Sequence, residues 1–197
     1  MMKYRVLNIK GFTSAQFDSA FEKMSHERKA RCLRFKLFDD RRRMVFAEEF
    51  LRNLLAENFC AEESEIVIKN LPSGKPVAEV RGKEVSVSLS HSGDFVACAV
   101  SSAPVGIDLE IKREVKPSLL KALNEEELEF VNKSEDEDSA FLRIWTAKEA
   151  YLKLTGEGLA GLCKAYVLPL MEKGEQGGLK LSANHTEEYF CTIIYEM

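Results

Sequence analysis

The eight residues Pro104-Val105-Gly106-Ile107-Asp108-Leu109-Glu110-Ile111 constrain this chain more than any other stretch. Side chains alternate along a strand, so Val105, Ile107, Leu109 and Ile111 share one face while Asp108 and Glu110 share the other. The first face belongs to a core. The second carries two carboxylates whose Cα atoms lie about 6.5 to 7 Å apart, a repulsion that water, a base or a cation relieves. Two oxygen donors on a rigid strand suit a hard divalent ion, and Mg²⁺ that keeps several waters needs few protein carboxylates. Ordinary acidic residues on an exposed edge strand are the bland alternative.

A second acidic residue set lies downstream. The segment Phe141-Leu142-Arg143-Ile144-Trp145-Thr146-Ala147-Lys148-Glu149-Ala150-Tyr151-Leu152-Lys153-Leu154 places apolar residues at 141, 144, 147, 151 and 154, the period of a helix facing a core. At about 100° per residue, Glu149 and Lys153 sit about 40° apart on the flank of that stripe. They make either a simple i,i+4 ion pair or a third carboxylate beside a phosphate-binding lysine. Upstream, Val85-Ser86-Val87-Ser88-Leu89 alternates as a half-buried strand and delivers Ser90 and His91 to a strand end, where loops build sites. With no HExxH and no second clustered histidine, His91 reads as a structural residue or a phosphate donor, not a metal ligand. Ser73-Gly74-Lys75-Pro76 is a turn signal and not a Walker loop. Gly156-Glu157-Gly158 follows a helix, not a strand, and so reads as a C-cap and turn.

The coarse element order suggests duplication. A strand at 4–9 leads to helical stretches at 14–36 and 40–59, then strand signals at 66–68, 85–89 and 95–100, the last two joined at Ser92-Gly93-Asp94. After the 105–111 strand, Asn124-Glu125-Glu126-Glu127 reads as a capping box, Ser134-Glu135-Asp136-Glu137 repeats that signal, and the long helix ends near Gly156. Strands are expected again near 165–170 and 189–195, with a turn at 173–178. Residues 31–55 and 129–154 occupy comparable places, so the chain reads as a pseudo-twofold α+β fold with halves at 1–102 and 103–197.

Charge divides at the same point. Residues 1–102 hold 17 Lys and Arg against 14 Asp and Glu, and residues 103–197 hold 11 against 18, giving +3 and −7. The basic excess gathers at Arg28, Lys29, Arg31, Arg34, Lys36, Arg41, Arg42 and Arg43, which is either a polyanion site or a solvated helix face. The formal charge of −4 argues against a whole-surface nucleic-acid binder. Five scattered cysteines without CxxC spacing suggest neither disulfides nor zinc, and read as buried thiols in a reducing cytoplasm. No apolar leader follows Met1-Met2-Lys3, and no run of about 18 apolar residues occurs, so a soluble, unprocessed, cytoplasmic protein is expected.

Taken in order, Gly74-Lys75-Pro76, Leu89-Ser90-His91-Ser92-Gly93, Gly106-Ile107-Asp108-Leu109-Glu110, Trp145-Thr146-Ala147-Lys148-Glu149-Ala150 with Lys153, and Gly156-Glu157-Gly158-Leu159 resemble the Sfp-type 4′-phosphopantetheinyl transferases. The resemblance spans roughly residues 28–159. It implies two similar α/β halves with the active site between them, the basic half holding coenzyme A and the acidic half holding Mg²⁺ and the carrier protein. Asp108, Glu110 and Glu149 match the family's metal carboxylates, and Lys153 its pyrophosphate lysine. His91 with Arg28, Arg31 and Arg43 falls where the family holds the 3′-phosphate, and Lys75, Pro76 and Ser90 fall beside the adenosine end. Arg28 and Arg31 stand where lysine is frequent, keeping charge but altering geometry. Met44 follows Arg43 where relatives have a hydroxyl residue, which removes one expected phosphate hydrogen bond.

The resemblance further implies transfer of phosphopantetheine from coenzyme A to a carrier serine with release of 3′,5′-ADP, Glu149 serving as general base or as ligand alone. The carrier, an acyl or peptidyl carrier protein, is expected at Lys112-Arg113 and Lys116-Pro117-Ser118-Leu119-Leu120-Lys121, basic residues with leucines that suit an acidic amphipathic helix. A fused chain of this kind is expected to act as a monomer without nucleic acid or membrane. A Mg²⁺-dependent hydrolase of coenzyme A or of a nucleotide diphosphate, and a non-catalytic coenzyme-binding domain, are the competing readings.

Overall fold

A computed structural model describes residues 2–71 and 74–197, with Leu159 by its backbone alone. Ser73, part of the expected turn, lies outside the described residues. The chain divides into two compact units, Met1–Ser102 and Ala103–Met197.

The first unit runs β1 (Lys3–Asn8), α1 (Ser14–Lys23), α2 (His26–Leu33), α3 (Phe38–Phe59), β2 (Ile66–Asn70), β3 (Pro76–Val80), β4 (Lys83–Ser92) and β5 (Phe95–Ser101). Its strands form one antiparallel sheet in the order β1-β5-β4-β3-β2. Every residue of β5 is buried, which explains its unbroken apolar run. The α3 helix supplies two apolar clusters. Leu51, Leu54 and Leu55 pack with Ile66, Ile68, Val80, Val85 and Val87, whereas Met44, Val45, Phe46 and Ala47 pack with Ile9, Ala20, Met24 and Val96. The hairpin from β3 to β4 turns on Arg81 and Gly82, both with positive φ, the geometry a two-residue connection needs to match strand twist.

The second unit runs β6 (Val105–Ile111), α4 (Glu125–Asn132), α5 (Glu137–Thr155), α6 (Leu168–Lys173), β7 (Glu175–Gln176), β8 (Leu179–His185) and β9 (Tyr189–Glu196), with sheet order β6-β9-β8-β7. Phe141, Leu142, Ile144 and Ala147 of α5 pack with Val131, Val167, Leu168 and Phe190. Each unit opens with a strand, passes through helices, and ends in a meander whose last strand pairs with the opener. This repeated connectivity is the α+β architecture expected from the order of elements.

Several local expectations need correction. The 14–36 stretch is two helices, because Ser25 caps a new start after Met24 leaves helical geometry. The long helix is capped by Asp136, which accepts from the Ser139 amide, while Ser134 instead donates to the Phe130 carbonyl. Residues 165–170 are not a strand: Pro169 sits in the first turn of α6. Two strands lie outside the expected set: β3 opens on Pro76, and β8 alternates Leu179, Leu181 and Ala183 with Lys180, Ser182 and Asn184 but has only half-buried and exposed positions. Cys32, Cys98 and Cys191 are buried as expected, but Cys60 and Cys163 are exposed.

The position that most affects the site is Gly106. A Cβ there would lie 1.9 Å from the Ala150 carbonyl oxygen and 2.7 Å from the Leu154 amide nitrogen, so α5 lies backbone-to-backbone on β6. The face bearing Asp108 is therefore covered by α5 instead of open, and Asp108 is only 5% exposed. Gly106→Ala forces that contact apart; overpacking of this kind costs about 1 to 3 kcal/mol or more. The expected outcome is a lowered urea midpoint with an unchanged denaturant slope, read by circular dichroism.

Candidate active site

Within the second unit, Asp108 and Glu110 of β6 meet Glu149 and Lys153 of α5. Lys153 Nζ donates to Asp108 Oδ1 at 2.7 Å and to the Ile107 carbonyl at 3.1 Å. Glu110 Oε2 lies 3.6 Å from an Arg113 guanidinium nitrogen. Burial pushes the half-buried Glu149 carboxyl above its ordinary pKa; the charge of Asp108 adds to the rise, Lys153 opposes it, and Glu110 adds again. Those influences identify the four side chains as one electrostatic cluster. In strand register Asp108 faces Thr192, whose hydroxyl is 2.9 Å from that of Thr146 on α5, so a polar layer continues the carboxylate face inward.

Among the described residues, no three His, Cys, Asp or Glu side chains already form a group that could hold a metal ion. The donor chemistry nevertheless fits one. Asp108, Glu110 and Glu149 are hard oxygen donors, and the first two raise the proton affinity of the third, a repulsion that a divalent cation relieves. Lys153 supplies positive charge to that corner through Asp108.

Lys148, next to Glu149, does something the sequence did not reveal. It is fully buried, and its Nζ donates to Glu127 Oε1 at 2.9 Å, Glu127 Oε2 at 2.7 Å and the Ala165 carbonyl at 2.5 Å. Glu127 was visible as the last residue of a capping box, which it completes by accepting from the Asn124 amide. Its second role depends on a partner 21 positions away. The leucines expected to meet a carrier also have another duty, because Leu119 and Leu120 pack on the core of this unit.

In the first unit the cationic residues separate into three situations. Arg28, 4% exposed, donates through Nε to Glu48 and through Nη1 to Asn70 Oδ1 at 2.6 Å. Its Nε and Nη1 donors thus face interior partners, as a buried guanidinium requires. Arg31, half-buried, reaches the Gly74 carbonyl at 3.4 Å, and a Cβ on Gly74, whose φ is +87°, would stand 3.2 Å from its Nη2. Lys75 follows Gly74, is itself half-buried, and has its pKa lowered by burial. Pro76 opens β3 opposite Asn70. Arg43 donates to the Gly93 carbonyl at 3.0 Å and to Asp40 at 2.6 Å, fastening it to the hairpin that carries exposed His91 and buried Ser90. Met44, where a hydroxyl was expected, is 8% exposed and packs in the core.

Two α+β units of one connectivity, one with a cation-bearing turn and one with a carboxylate and ammonium cluster, define the class of protein. Residues 104–193 match the model of the 4′-phosphopantetheinyl transferase superfamily, and residues 12–103 match that of the 4′-phosphopantetheinyl transferase N-terminal region. The chain is 32% identical over 158 residues to 4′-phosphopantetheinyl transferase psf-1 of Bacillus pumilus, covering 77% of this chain and 66% of that protein. It is 27% identical over 172 residues to Sfp of Bacillus subtilis, covering 86% and 76%. With HetI of a Nostoc species the identity is 35% over 147 residues, covering 71% and 62%. The chain thus spans less than two thirds of the lengths of psf-1 and HetI. It belongs to the 4′-phosphopantetheinyl transferase superfamily.

The buried pair gives a direct test. Removing one member of a buried ion pair strands the other charge at about 3 to 5 kcal/mol, whereas replacing both with apolar residues is often near neutral. Lys148→Met and Glu127→Leu should each lower stability steeply in urea titrations, and the double variant should recover most of the loss.

Proposed function

We propose that this chain transfers the 4′-phosphopantetheine group from coenzyme A to a serine of an acyl or peptidyl carrier protein. The observation that carries the reading is the corner where Glu149, with its elevated proton affinity, meets Asp108, Glu110 and Lys153. In the reaction the serine oxygen attacks the β-phosphorus of coenzyme A. The bond from that phosphorus to the bridging oxygen breaks, and 3′,5′-ADP leaves with the bonding pair. Glu149 accepts the serine proton as general base. Lys153, held by Asp108 and the Ile107 carbonyl, presents its ammonium to the charge that develops on the pyrophosphate oxygens.

Asp108, Glu110 and Glu149 would hold Mg²⁺, which when bound neutralises phosphoryl charge and orients the pyrophosphate. Arg31 and Lys75 offer two half-buried cationic groups near one turn, and Arg43 offers a guanidinium and His91 an imidazole at the β4–β5 hairpin. These would bind the phosphate and adenosine end, with Pro76 and Ser90 beside them. Residues 1–102 would thus serve the coenzyme, and residues 103–197 the metal and the carrier. The chain would act as a monomer in the cytoplasm without nucleic acid. No helix among the described residues is long and apolar enough to cross a membrane.

Intact-mass measurement of several apo-carriers after incubation with Mg²⁺ and coenzyme A tests this reading. Gain of one phosphopantetheine with stoichiometric 3′,5′-ADP is the expected result, and 3′,5′-ADP formed without a carrier would mean hydrolysis instead. Glu149→Gln should cut turnover by about 10² to 10⁴ while Mg²⁺ affinity, measured by calorimetry, stays within several-fold. Loss of metal binding in proportion to rate would reduce Glu149 to a ligand.

The same variant has a predicted stability signature. Because the folded carboxyl has a raised pKa, the stability that Glu149 contributes is present below its unfolded value, about 4.3, and is lost as pH rises through the folded one. In chelator, Glu149→Gln should therefore melt above the wild type at neutral pH and show no such advantage below about pH 4. Exposed Lys116 and Lys121 give the carrier-side test. Converting both to glutamate should raise the KM for an acidic carrier and leave that for coenzyme A unchanged.

A further inference from the structure

We infer that Glu48 is a positioning residue for the cationic face formed by Arg31 and Lys75, acting through Arg28 and Asn70. The inference rests on the proposal that this face binds coenzyme A. Glu48 projects from α3 and is 1% exposed. One carboxylate oxygen accepts from Arg28 Nε, and the other accepts from Arg52 Nη2 at 3.2 Å. Arg52 in turn donates to the Ile66 carbonyl at 3.4 Å, at the start of β2. The opposite end of β2 is reached through Arg28, whose Nη1 donates to Asn70 Oδ1 at 2.6 Å. A single buried carboxylate therefore ties α3 to α2 and, through two arginines, to both ends of β2.

Both sides of the cationic face hang on these bonds. The α2 helix has eight residues and buries only Arg28 and Cys32, so apolar packing holds it weakly. Arg31 lies three residues beyond Arg28 on the neighbouring surface of the same helix. Asn70 is the last residue before the connection to β3, which the Leu71 amide closes on the Lys75 carbonyl at 2.9 Å and the Gly74 amide on the Leu71 carbonyl at 2.7 Å. The Arg28 to Asn70 bond thus sets the distance between the helix carrying Arg31 and the turn carrying Gly74 and Lys75. Arg31 reaches Gly74 across that gap. With two arginines to one glutamate, the network also leaves a net positive charge behind the face, which favours an anion in front of it.

Glu48→Gln removes the charge at the centre, and Asn70→Ala cuts the link to the turn while leaving the Glu48 to Arg28 pair in place. In both variants amide hydrogen exchange at Leu71 and Gly74 should rise about tenfold, and the KM for coenzyme A should rise about tenfold. Turnover and the carrier KM should stay within twofold. A folded variant whose coenzyme KM is unchanged, or whose turnover falls in step with melting temperature, would overturn the inference. Should Glu48→Gln not fold, Asn70→Ala decides by the same readings. If the wild-type chain neither binds coenzyme A nor modifies a carrier, the proposed function has failed. Amide exchange then decides the positioning role alone: a rise at Leu71 and Gly74 supports it, and no change overturns it.

Discussion

The absence of a side chain at residue 106 lets the backbones of β6 and α5 touch, and the acidic site exists because of that contact. With α5 seated so close, Lys153 reaches across to both the Asp108 carboxylate and the Ile107 carbonyl without spanning solvent. The same closeness shields Glu149 from water and brings it under the influence of Asp108 and Glu110. A helix displaced by the width of one methyl group would open the corner to solvent, weaken each of those interactions through the higher dielectric, and relax the proton affinity of Glu149. A glycine whose φ needs no special freedom is thus required here for space alone.

Much of this arrangement was legible because it is local. Alternation along residues 105–111 fixed which side chains share a face, and the helical period of 141–154 put Glu149 and Lys153 together. The capping residues Asn124 and Gly156 are where their chemistry requires them. The direction of the acidic face was not legible: nothing in the alternation says that α5 covers it and leaves Asp108 buried. Short elements failed for a related reason. α6 has six residues, too few for a period to register, and β3 begins with a proline although it pairs on both sides.

The charged residues show the limit most clearly. Arg28 sits in a run of eight basic residues, and a charge run reads the same whether its members face water, a phosphate or the interior. Only the fold separates buried Arg28 from half-buried Arg31 and from Arg43 bound to a hairpin carbonyl. Lys148 is the same case in the second unit. Its identity was part of a recognisable motif, yet its partner Glu127 lies on a different helix, and no spacing rule links the two.

Both units therefore place a buried, ion-paired basic residue near the basic or acidic residue proposed to act. Lys148 with Glu127 adjoins Glu149, and Arg28 with Glu48 stands one helical turn from Arg31. Such pairs add little net stability, because desolvation offsets most of the attraction. Their cost when broken is large and steep in distance, however, so rotating α5 or α2 about its axis by enough to part the charges is strongly opposed. Adjacent positions on a helix point about 100° apart, so holding Lys148 against Glu127 and the Ala165 carbonyl also holds Glu149 at a fixed angle toward β6. The interior charge sets the azimuth of the helix, and the azimuth sets where the reacting side chain points. Apolar packing alone, which tolerates sliding and repacking among similar side chains, would define that angle less sharply.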